Sequence, residues 1–314
     1  MHRIQEGQEG DLVVRAGVIG VGYLGQHHAR IYSEIEEAEL IGVADIHREK
    51  AETIAEKYHC KAMYDYRDML DNVDVLSIVT PTTTHYPIAL DCLKSRKDIL
   101  IEKPITVTVE EADHLIRESE NSGCIIQVGH LERYNPAILA ATDFFKAPVF
   151  IESERLSPFL GRGTDVDVTL DLMIHDIDII LSLIDKPVKE IRAVGAKVLS
   201  DKLDVAKAWI EFENGCTALA TVSRLSPEKQ RRLKVSQEDS YITIDYQNSE
   251  IKRYFKNEKG ISFDIIKPEK KEPLKEELKD FIHCVQERKK PRVSAIEGRN
   301  ALKVVMEITE KIKL

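Results

Sequence analysis

The stretch 17-GVIGVGYLGQHHA-29 decides the first half of the fold. It contains three glycines in G-x-G-x-x-G spacing, after an apolar run of strand length and before a helical pattern. Glycines at this spacing permit a tight turn, a close approach of the backbone to a pyrophosphate and close helix packing, while the helix N-terminus faces the phosphates. The stretch therefore predicts a dinucleotide-binding turn. The residues of this turn that we expect to bind the cofactor are Gly20, Gly22, Tyr23, Leu24 and Gly25.

An acidic residue follows the next apolar run. Asp45 lies about twenty residues beyond the glycines, where an acid can bind the hydroxyl groups of the adenosine ribose. This position favours NAD over NADP, although Arg48 nearby would suit the extra phosphate of NADP. The alternative is an ordinary strand-to-helix turn in which Asp45 only caps the following helix.

Outward from the glycines, apolar runs of strand length alternate with helical patterns as far as residue 130. Alternation of this kind indicates βαβ crossovers and a parallel sheet. We therefore predict a doubly wound Rossmann domain over residues 1–130, with residues 1–12 flexible. The predicted strands are residues 13–20, 38–45, 73–79, 98–104 and 124–129, and the predicted helices are Leu24–Ser33, Arg48–Tyr58, Tyr86–Lys94 and Val109–Ser122.

Residues 131–314 have a different pattern, in which strand candidates follow one another directly. Consecutive strands joined by turns of the "ENG" type indicate an antiparallel sheet. The second domain is therefore predicted as α+β, a mostly antiparallel sheet covered by helices on one face. The predicted strands are residues 149–156, 190–200, 205–214, 216–225, 231–237, 240–247 and 249–256, and the predicted helices are Asp165–Ile184, Leu274–Arg288 and Ala295–Ile312.

Composition excludes several classes of function. The net charge is -9 and the basic residues are scattered, which argues against binding to nucleic acid or to an anionic membrane. The five cysteines are an odd number without CxxC spacing, so neither a disulfide framework nor a zinc site is indicated. The polar start has no apolar signal region and no later run reaches the length of a membrane span, so we expect a cytoplasmic protein.

Polar residues end two further strands of the predicted parallel sheet. The motif 80-TPTTTH-85 supplies Thr80, Pro81 and His85, and the motif 101-IEKP-104 supplies Glu102 and Lys103. Open α/β sheets bind ligands at the carboxyl ends of their strands, so we expect both loops to face the nicotinamide. A lysine in such a loop is otherwise usually a solvated surface residue.

Together these motifs resemble the glucose-fructose oxidoreductase and inositol dehydrogenase family, Gfo/Idh/MocA, over nearly the whole chain. The resemblance also includes Asp45, 171-DLMIHDIDI-179 and 297-EGRNAL-302. It implies that Lys103 lies beside the nicotinamide and the reacting carbon, and that Glu102 contacts the nicotinamide. It also implies that Pro104 fixes the turn, and the bond that precedes this proline is a candidate for the cis form.

The helix predicted from Asp165 carries a second set of polar residues. Asp171 and His175 are four residues apart and so share one helix face, a spacing that the family carries in its sugar and polyol dehydrogenases. Oxidation of an alcohol needs a proton acceptor, for which His175 is our first choice. Asp171 would orient it or bind a neighbouring hydroxyl group of the substrate, and Lys103 would form a hydrogen bond with the reacting oxygen. An exchange of roles between Lys103 and His175 stays open, as does a satisfied histidine on an amphipathic helix. A metal site that adds Asp178 fits zinc poorly, and we expect no metal.

Arginine and hydroxyl side chains precede this helix in the sequence. Guanidinium groups bind phosphate oxygens in pairs, so these residues suit a phosphorylated or diphosphate sugar, although each arginine could instead form a salt bridge within the protein. The expected substrate-binding residues are Lys103, Arg133, Tyr134, Asn135, Arg155, Arg162, Thr164, Asp171 and His175.

The strings 22-GYLGQHHA-29, 128-VGHLERYNPA-137 and 162-RGTDVDVTLDLMIHDID-178 are most similar to one bacterial subgroup of the family, the UDP-N-acetylglucosamine 3-dehydrogenases. The resemblance implies oxidation of the sugar to a 3-keto nucleotide sugar, which a partner aminotransferase aminates for lipid A. It also implies a homodimer or homotetramer. The alternatives are a dehydrogenase of another sugar, of inositol or of another nucleotide sugar, and a regulator that binds NAD(P) without catalysis.

Overall fold

A computed structural model describes residues 13–159, 161 and 166–313, which form two compact units. The predictions for residues 1–12, Arg162 and Thr164 therefore lie outside the described residues. Both units contain segments from before and after the predicted domain boundary. The first unit comprises the described part of Met1–Glu102 together with Leu115–Gln127 and Leu278–Arg292, and the second comprises the described parts of Lys103–His114, Val128–Glu277 and Val293–Leu314.

The first unit is built on a six-stranded sheet with the order β3-β2-β1-β4-β5-β6. The pairings that join β1 to β5 are all parallel, and helices alternate with the strands, so the predicted Rossmann fold is confirmed. Strands β4 and β5 are buried along their whole length, as expected of parallel strands covered on both faces. The elements are β1 (Val14–Ile19), α1 (Gly25–Tyr32), β2 (Ala38–Ala44), α2 (Arg48–Tyr58), β3 (Lys61–Met63), β4 (Val75–Ile78), α3 (His85–Lys94), β5 (Asp98–Glu102), α4 (Val109–Ser122) and β6 (Ile126–Gly129).

The second unit contains an eight-stranded sheet with the order β14-β13-β12-β11-β7-β10-β9-β8. Every pairing in it is antiparallel except that of β7 with β10, so the predicted mostly antiparallel sheet is confirmed. The remaining elements are α5 (Pro136–Ala141), β7 (Pro148–Leu156), α6 (Ile174–Leu183), β8 (Val188–Ala196), β9 (Val205–Phe212), β10 (Thr217–Ser223), β11 (Gln230–Gln237), β12 (Ser240–Asp245), β13 (Glu250–Asn257), β14 (Gly260–Ile266), α7 (Pro273–Glu287) and α8 (Ala295–Lys311).

Alternation of side chains divides the eight-stranded sheet into a covered and an open face. On β9, Ala208 and Ile210 are buried, whereas Trp209 between them is only partly buried. The buried residues join Ile177 of α6 and Val305 of α8 in one apolar core. Helices therefore cover one face, as predicted, and the opposite face carries Trp209.

The helix predicted over Asp165–Ile184 differs from the observed one. Its described part begins as a π-helical turn, Thr169–Met173, and becomes regular only in α6. Such a turn widens the spiral and often occurs at functional sites. No helix among the described residues is long and apolar enough to cross a membrane.

Candidate active site

The glycine turn of the first unit has the geometry that close approach to a ligand requires. Gly20 has φ +86°, and a Cβ atom there would lie 2.5 Å from the carbonyl oxygen of Val79. A Cβ atom at Gly25 would lie 1.8 Å from the carbonyl oxygen of Gly20, so this glycine lets α1 pack against the turn. A Cβ atom at Gly22 would meet nothing within 4 Å. The first and third glycines thus shape the turn, and the second keeps its outer surface open.

The predicted ribose-binding acid stands at the end of β2, beside this turn. Asp45 Oδ2 accepts a hydrogen bond from the backbone N–H of Val21 at 3.0 Å, and Oδ1 accepts one from the N–H of His47 at 2.9 Å. Its carboxylate therefore ties the glycine turn to the loop after β2. The guanidinium of Arg48 lies 4.1 Å from the centre of the Tyr64 ring, in a cation–π contact.

Gly20, Gly22, Asp45 and Tyr64 border a cavity of about 500 Å³, which is within the size range of ligand pockets. An open glycine surface, a helix N-terminus and a carboxylate around one cavity fit the pyrophosphate and ribose of a dinucleotide. The residues present therefore fit NAD. Predicted cofactor residues on the cavity wall are Gly20, Gly22, Asp45, Thr80 and Pro81.

A buried histidine side chain stabilises the loop after β4. His85, the first residue of α3, is buried, and its Nε2 donates a hydrogen bond to the carbonyl oxygen of Thr80 at 2.8 Å. The Thr84 hydroxyl donates to the hydroxyl of Thr80 at 2.7 Å. The side chain of His85 thus fixes the shape of the loop that carries Thr80. Tyr23, by contrast, is 76% exposed at the glycine turn.

The IEKP motif passes from the first unit to the second. Glu102 is the last residue of β5 and is almost buried, and the Lys103–Pro104 bond is cis. In the second unit, Lys103 Nζ donates to the backbone carbonyl oxygen of Asp171 at 2.9 Å and lies 3.7 Å from its Oδ1. Asp171 belongs to the π-helical turn. The structure therefore brings Lys103 and Asp171 together, as the candidate site requires.

His175 follows on the same helix and has a buried Nδ1 atom without a hydrogen-bond partner among the described residues. Its ring lies edge-to-face with that of His130, with 6.5 Å between the ring centres. Burial, followed by the positive charges of Lys103 and Arg155, holds the pKa of His175 well below its ordinary value. His175 is therefore neutral near pH 7 and can accept a proton.

An acidic residue of α6 lies near the His130 ring. Asp178 is buried, with Oδ2 3.9 Å from His130 Nδ1 and Oδ1 3.4 Å from Nη1 of Arg133. Burial raises the pKa of Asp178, opposed by the charges of His130 and Arg133. Arg133 thus lies beside α6 and is only partly buried.

Arg155 is 2% exposed and is held entirely within the second unit. Its Nε and Nη2 donate to the two carboxylate oxygens of Asp176 at 3.0 Å each, and Nη1 donates to Glu132 Oε1 at 2.9 Å. Although burial alone would raise it, the charges of Arg155 and Arg231 hold the pKa of Glu132 below its ordinary value. Three donors of the guanidinium are already used, so this geometry gives no support to phosphate binding by Arg155.

Two other expected substrate residues also have interior positions. Tyr134 is 2% exposed. Asn135 caps α5 by accepting from the N–H of Ala137 at 3.0 Å, and its amide donates to Glu132 Oε2 at 3.2 Å. Of this group of expected residues, Arg133 is therefore the one whose described side chain reaches towards α6 from a partly exposed position.

Four polar residues near the site were not among the expected site residues: His130, Glu132, Asp176 and Asp178. His130 directly follows β6, so its place at a strand end was the signal that could have found it. The carboxylates of Glu132 and Asp176 have no such signal, because their partner Arg155 lies on another element.

Two family profiles match the chain. Residues 14–130 match the NAD-binding Rossmann fold of an oxidoreductase family, and residues 143–243 match the GFO/IDH/MocA C-terminal domain. The first match covers all six strands of the parallel sheet, and the second covers α6 and most of the second sheet.

Curated relatives and solved structures agree with these profiles. A UDP-N-acetylglucosamine 3-dehydrogenase of Acidithiobacillus ferrooxidans is 35% identical over 302 residues, covering 94% of this chain and 96% of the relative. Its crystal structure superposes with a TM-score of 0.92 and covers 95% of this chain and 97% of that one. A scyllo-inositol 2-dehydrogenase (NAD(+)) of Bacillus subtilis is 29% identical over 328 residues, covering 96% and 94%. A levoglucosan dehydrogenase in complex with NADH shares the fold at 17% identity, with a TM-score of 0.86 and 95% and 96% coverage.

Proposed function

The chain belongs to the Gfo/Idh/MocA family of NAD-binding oxidoreductases, and from that premise we propose that it oxidises C3 of UDP-N-acetylglucosamine to a 3-keto nucleotide sugar. The observation that carries the chemistry is the contact of Lys103 with Asp171 beside a neutral His175. These are a cationic donor, a carboxylate and a proton acceptor, which together suit removal of a proton from an alcohol.

Each residue has a definite task in this proposal. His175 takes the hydroxyl proton, because its lowered pKa keeps it neutral at physiological pH. Lys103 donates a hydrogen bond to the reacting oxygen, and Asp171 holds the lysine through its backbone carbonyl group. NAD held by the glycine turn and Asp45 would supply the acceptor for the hydride of the alcohol carbon. The exchange in which Lys103 takes the proton remains the alternative within the same site.

We propose that cofactor and substrate use separate sets of residues apart from Lys103. The cofactor set contains Gly20, Gly22, Tyr23, Leu24, Gly25, Asp45, Thr80, Pro81, His85, Glu102 and Lys103. For the substrate we propose Arg133, Arg162 and Thr164 at the diphosphate, since guanidinium and hydroxyl groups bind phosphate oxygens. Arg155 instead stabilises the interior of the second unit, because three of its N–H groups donate hydrogen bonds to Glu132 and Asp176.

The choice of sugar is supported by similarity to the UDP-N-acetylglucosamine 3-dehydrogenase of Acidithiobacillus ferrooxidans. The 3-keto product would then be the substrate of an aminotransferase, in a route of the lipid A type. The second candidate is an inositol 2-dehydrogenase, which the relative of Bacillus subtilis favours at 29% identity. The position of Arg133 beside α6 favours the phosphorylated substrate, because inositol carries no charge for this arginine to bind.

The test is to incubate the purified protein with NAD and UDP-N-acetylglucosamine and to follow NADH fluorescence. A reagent that traps the ketone is included, since oxidation of an alcohol by NAD is uphill near neutral pH. Parallel reactions contain free N-acetylglucosamine, scyllo-inositol or myo-inositol. We expect NADH only with the nucleotide sugar. NADH with an inositol alone would replace the first candidate by the second, and NAD binding without oxidation of any substrate would favour a regulator.

We further propose that a second copy of the chain covers the open face of the eight-stranded sheet. At its β13–β14 edge this face carries Tyr254 and Phe263, which are 50% and 44% exposed and whose ring centres are 4.4 Å apart. Exposed aromatic residues in one patch are typical of protein interfaces.

A further inference from the structure

Two arginines of the eight-stranded sheet lie opposite each other on adjacent strands. Arg155 of β7 and Arg231 of β11 are aligned as a cross-strand pair. Side chains alternate along a strand, so Leu233 and Val235 point to the same face of β11 as Arg231. Both belong to the apolar core that also contains Ile177 of α6. Arg231 therefore lies on the covered face of the sheet, on the same side as α6.

The two guanidinium groups differ in how many of their N–H groups are used. Arg155 is 2% exposed and donates three hydrogen bonds to Glu132 and Asp176. Arg231 donates from Nη1 to Glu132 Oε1 at 3.2 Å, and its side chain is 37% exposed. Its Nε and Nη2 atoms have no hydrogen-bond partner among the described residues. Arg231 therefore keeps N–H donors for a ligand, on a side chain that is partly open to solvent.

The surroundings of Arg231 disfavour its positive charge. Like charges directly opposite each other on adjacent strands repel, and Arg231 shares the carboxylate of Glu132 with Arg155. Burial and the charge of Arg155 lower the pKa of Arg231, against the opposite effect of Glu132 and Asp176. An anion bound to Arg231 would offset this repulsion, whereas a neutral ligand would not.

Arg231 also lies in the region of the proposed proton acceptor. His175 immediately precedes Asp176, whose two carboxylate oxygens accept from Arg155, the cross-strand neighbour of Arg231. After burial and the charges of Lys103 and Arg155, the charge of Arg231 contributes to the lowered pKa of His175. The unused donors of Arg231 therefore belong to the part of the second unit in which the alcohol is proposed to react.

We propose that Arg231 binds a phosphate oxygen of the nucleotide sugar and so helps the site to select a phosphorylated substrate. The inference rests on the proposed function, because the phosphates are the anionic groups of that substrate. One phosphate is attached to C1 of the same pyranose ring whose C3 would react at His175, so it enters the site together with the reacting carbon. A guanidinium group binds phosphate oxygens by strong, charge-assisted hydrogen bonds. An inositol offers Arg231 only neutral hydroxyl groups.

Two variants of Arg231 separate its charge from its shape. Arg231→Met removes the cation, while Glu132 keeps its ion pair with Arg155. Arg231→Lys keeps a positive charge beside Glu132 but loses the planar arrangement of donors that suits a phosphate. The matched control is Arg232→Met, at the next residue of β11. The side chain of Arg232 points to the opposite face of the sheet and lies 3.9 Å from Asp245.

The measurement is the Kd of UDP for each purified protein in the presence of NADH, by calorimetry. Uridine is the probe without phosphate, and its weak binding is followed by ligand-observed NMR. We expect Arg231→Met to weaken UDP binding about tenfold or more, as is usual for loss of a hydrogen bond between charged groups. Arg231→Lys should weaken it less, and Arg232→Met should leave it unchanged. Uridine should bind equally to all four proteins.

Two kinds of failure can be told apart in this experiment. Unchanged UDP binding in Arg231→Met, or equal weakening of UDP and uridine, would overturn the proposal and leave Arg231 as a structural partner of Glu132. If the wild type bound no UDP, the nucleotide-sugar substrate would be excluded, and the assignment of a phosphate to Arg231 would be excluded with it.

Discussion

At the scale of single residues, Lys103 is the residue that we propose for both the cofactor site and the reacting oxygen of the substrate. Lys103→Met keeps the apolar stem and removes the cation that lies 2.9 Å from the Asp171 carbonyl oxygen. We expect kcat to fall about 100-fold or more, since positioned acid–base groups contribute that much. The Kd of NAD should change far less than kcat, because the glycine turn and Asp45, which are proposed to bind the pyrophosphate and the ribose, are unaltered. Steady-state kinetics and calorimetry measure the two quantities.

The control is Lys146→Met, which removes an exposed lysine paired with Asp239. It should change neither kcat nor NAD affinity. If Lys103→Met lost NAD binding and turnover to the same extent, Lys103 would belong to the binding of the cofactor alone.

The lowered pKa of His175 predicts a definite dependence on pH. Burial and the nearby cations disfavour its protonated form, so the folded protein binds this proton less readily than the unfolded chain. Its contribution to stability is therefore complete above about pH 6.5 and is lost as the pH falls towards the folded pKa. The acid limb of kcat/KM should accordingly have its midpoint below about pH 6.5. A midpoint at or above this value would mean that another group limits the reaction.

At the scale of secondary-structure elements, the buried ion pairs of Arg155 join β7, α6 and the turn before α5. Arg155→Met leaves Glu132 and Asp176 buried without their main cation. We expect the free energy of unfolding to fall by about 3–5 kcal/mol, the usual cost of breaking a buried ion pair. Urea unfolding measures this change. The matched control is Arg192→Met, whose exposed pair with Glu211 should cost less than about 1 kcal/mol. A similar decrease of the free energy of unfolding in both variants would show that the buried ion pairs of Arg155 stabilise the fold no more than an exposed pair does.

The elements that could be predicted from the sequence are long enough to show a period, although the seven-residue strand β14 was missed as well. The bounds of α2 and α4 agree with the prediction, because each contains three or four turns of alternating apolar and polar residues. The three-residue strand β3 was missed, since so short a run has no period. The π-helical turn before α6 was also missed, because the sequence pattern of one wider turn matches that of a regular helix.

In the candidate site, too, only residues that belong to a local sequence pattern could be predicted. The motif of Lys103 and the spacing of Asp171 and His175 indicated three residues that the structure brings into one region of the second unit. The sequence did not indicate that Arg155 is buried, because its carboxylate partners are supplied by separate elements. Ion pairing between distant segments depends on the packing of the chain and has no local pattern.

At the scale of the whole molecule, the open sheet face of the second unit predicts self-association. A patch of exposed aromatic residues is costly to leave in water, and two such faces can bury each other. We expect light scattering to give the mass of a dimer or tetramer. The double variant Tyr254→Glu and Phe263→Glu places charges in the patch and should reduce the mass, because unpaired buried charges are strongly unfavourable. Ile296→Glu, at an apolar residue of α8 that is 46% exposed, should leave the mass unchanged. A monomeric wild type, or equal dissociation by both substitutions, would exclude this face as the specific interface.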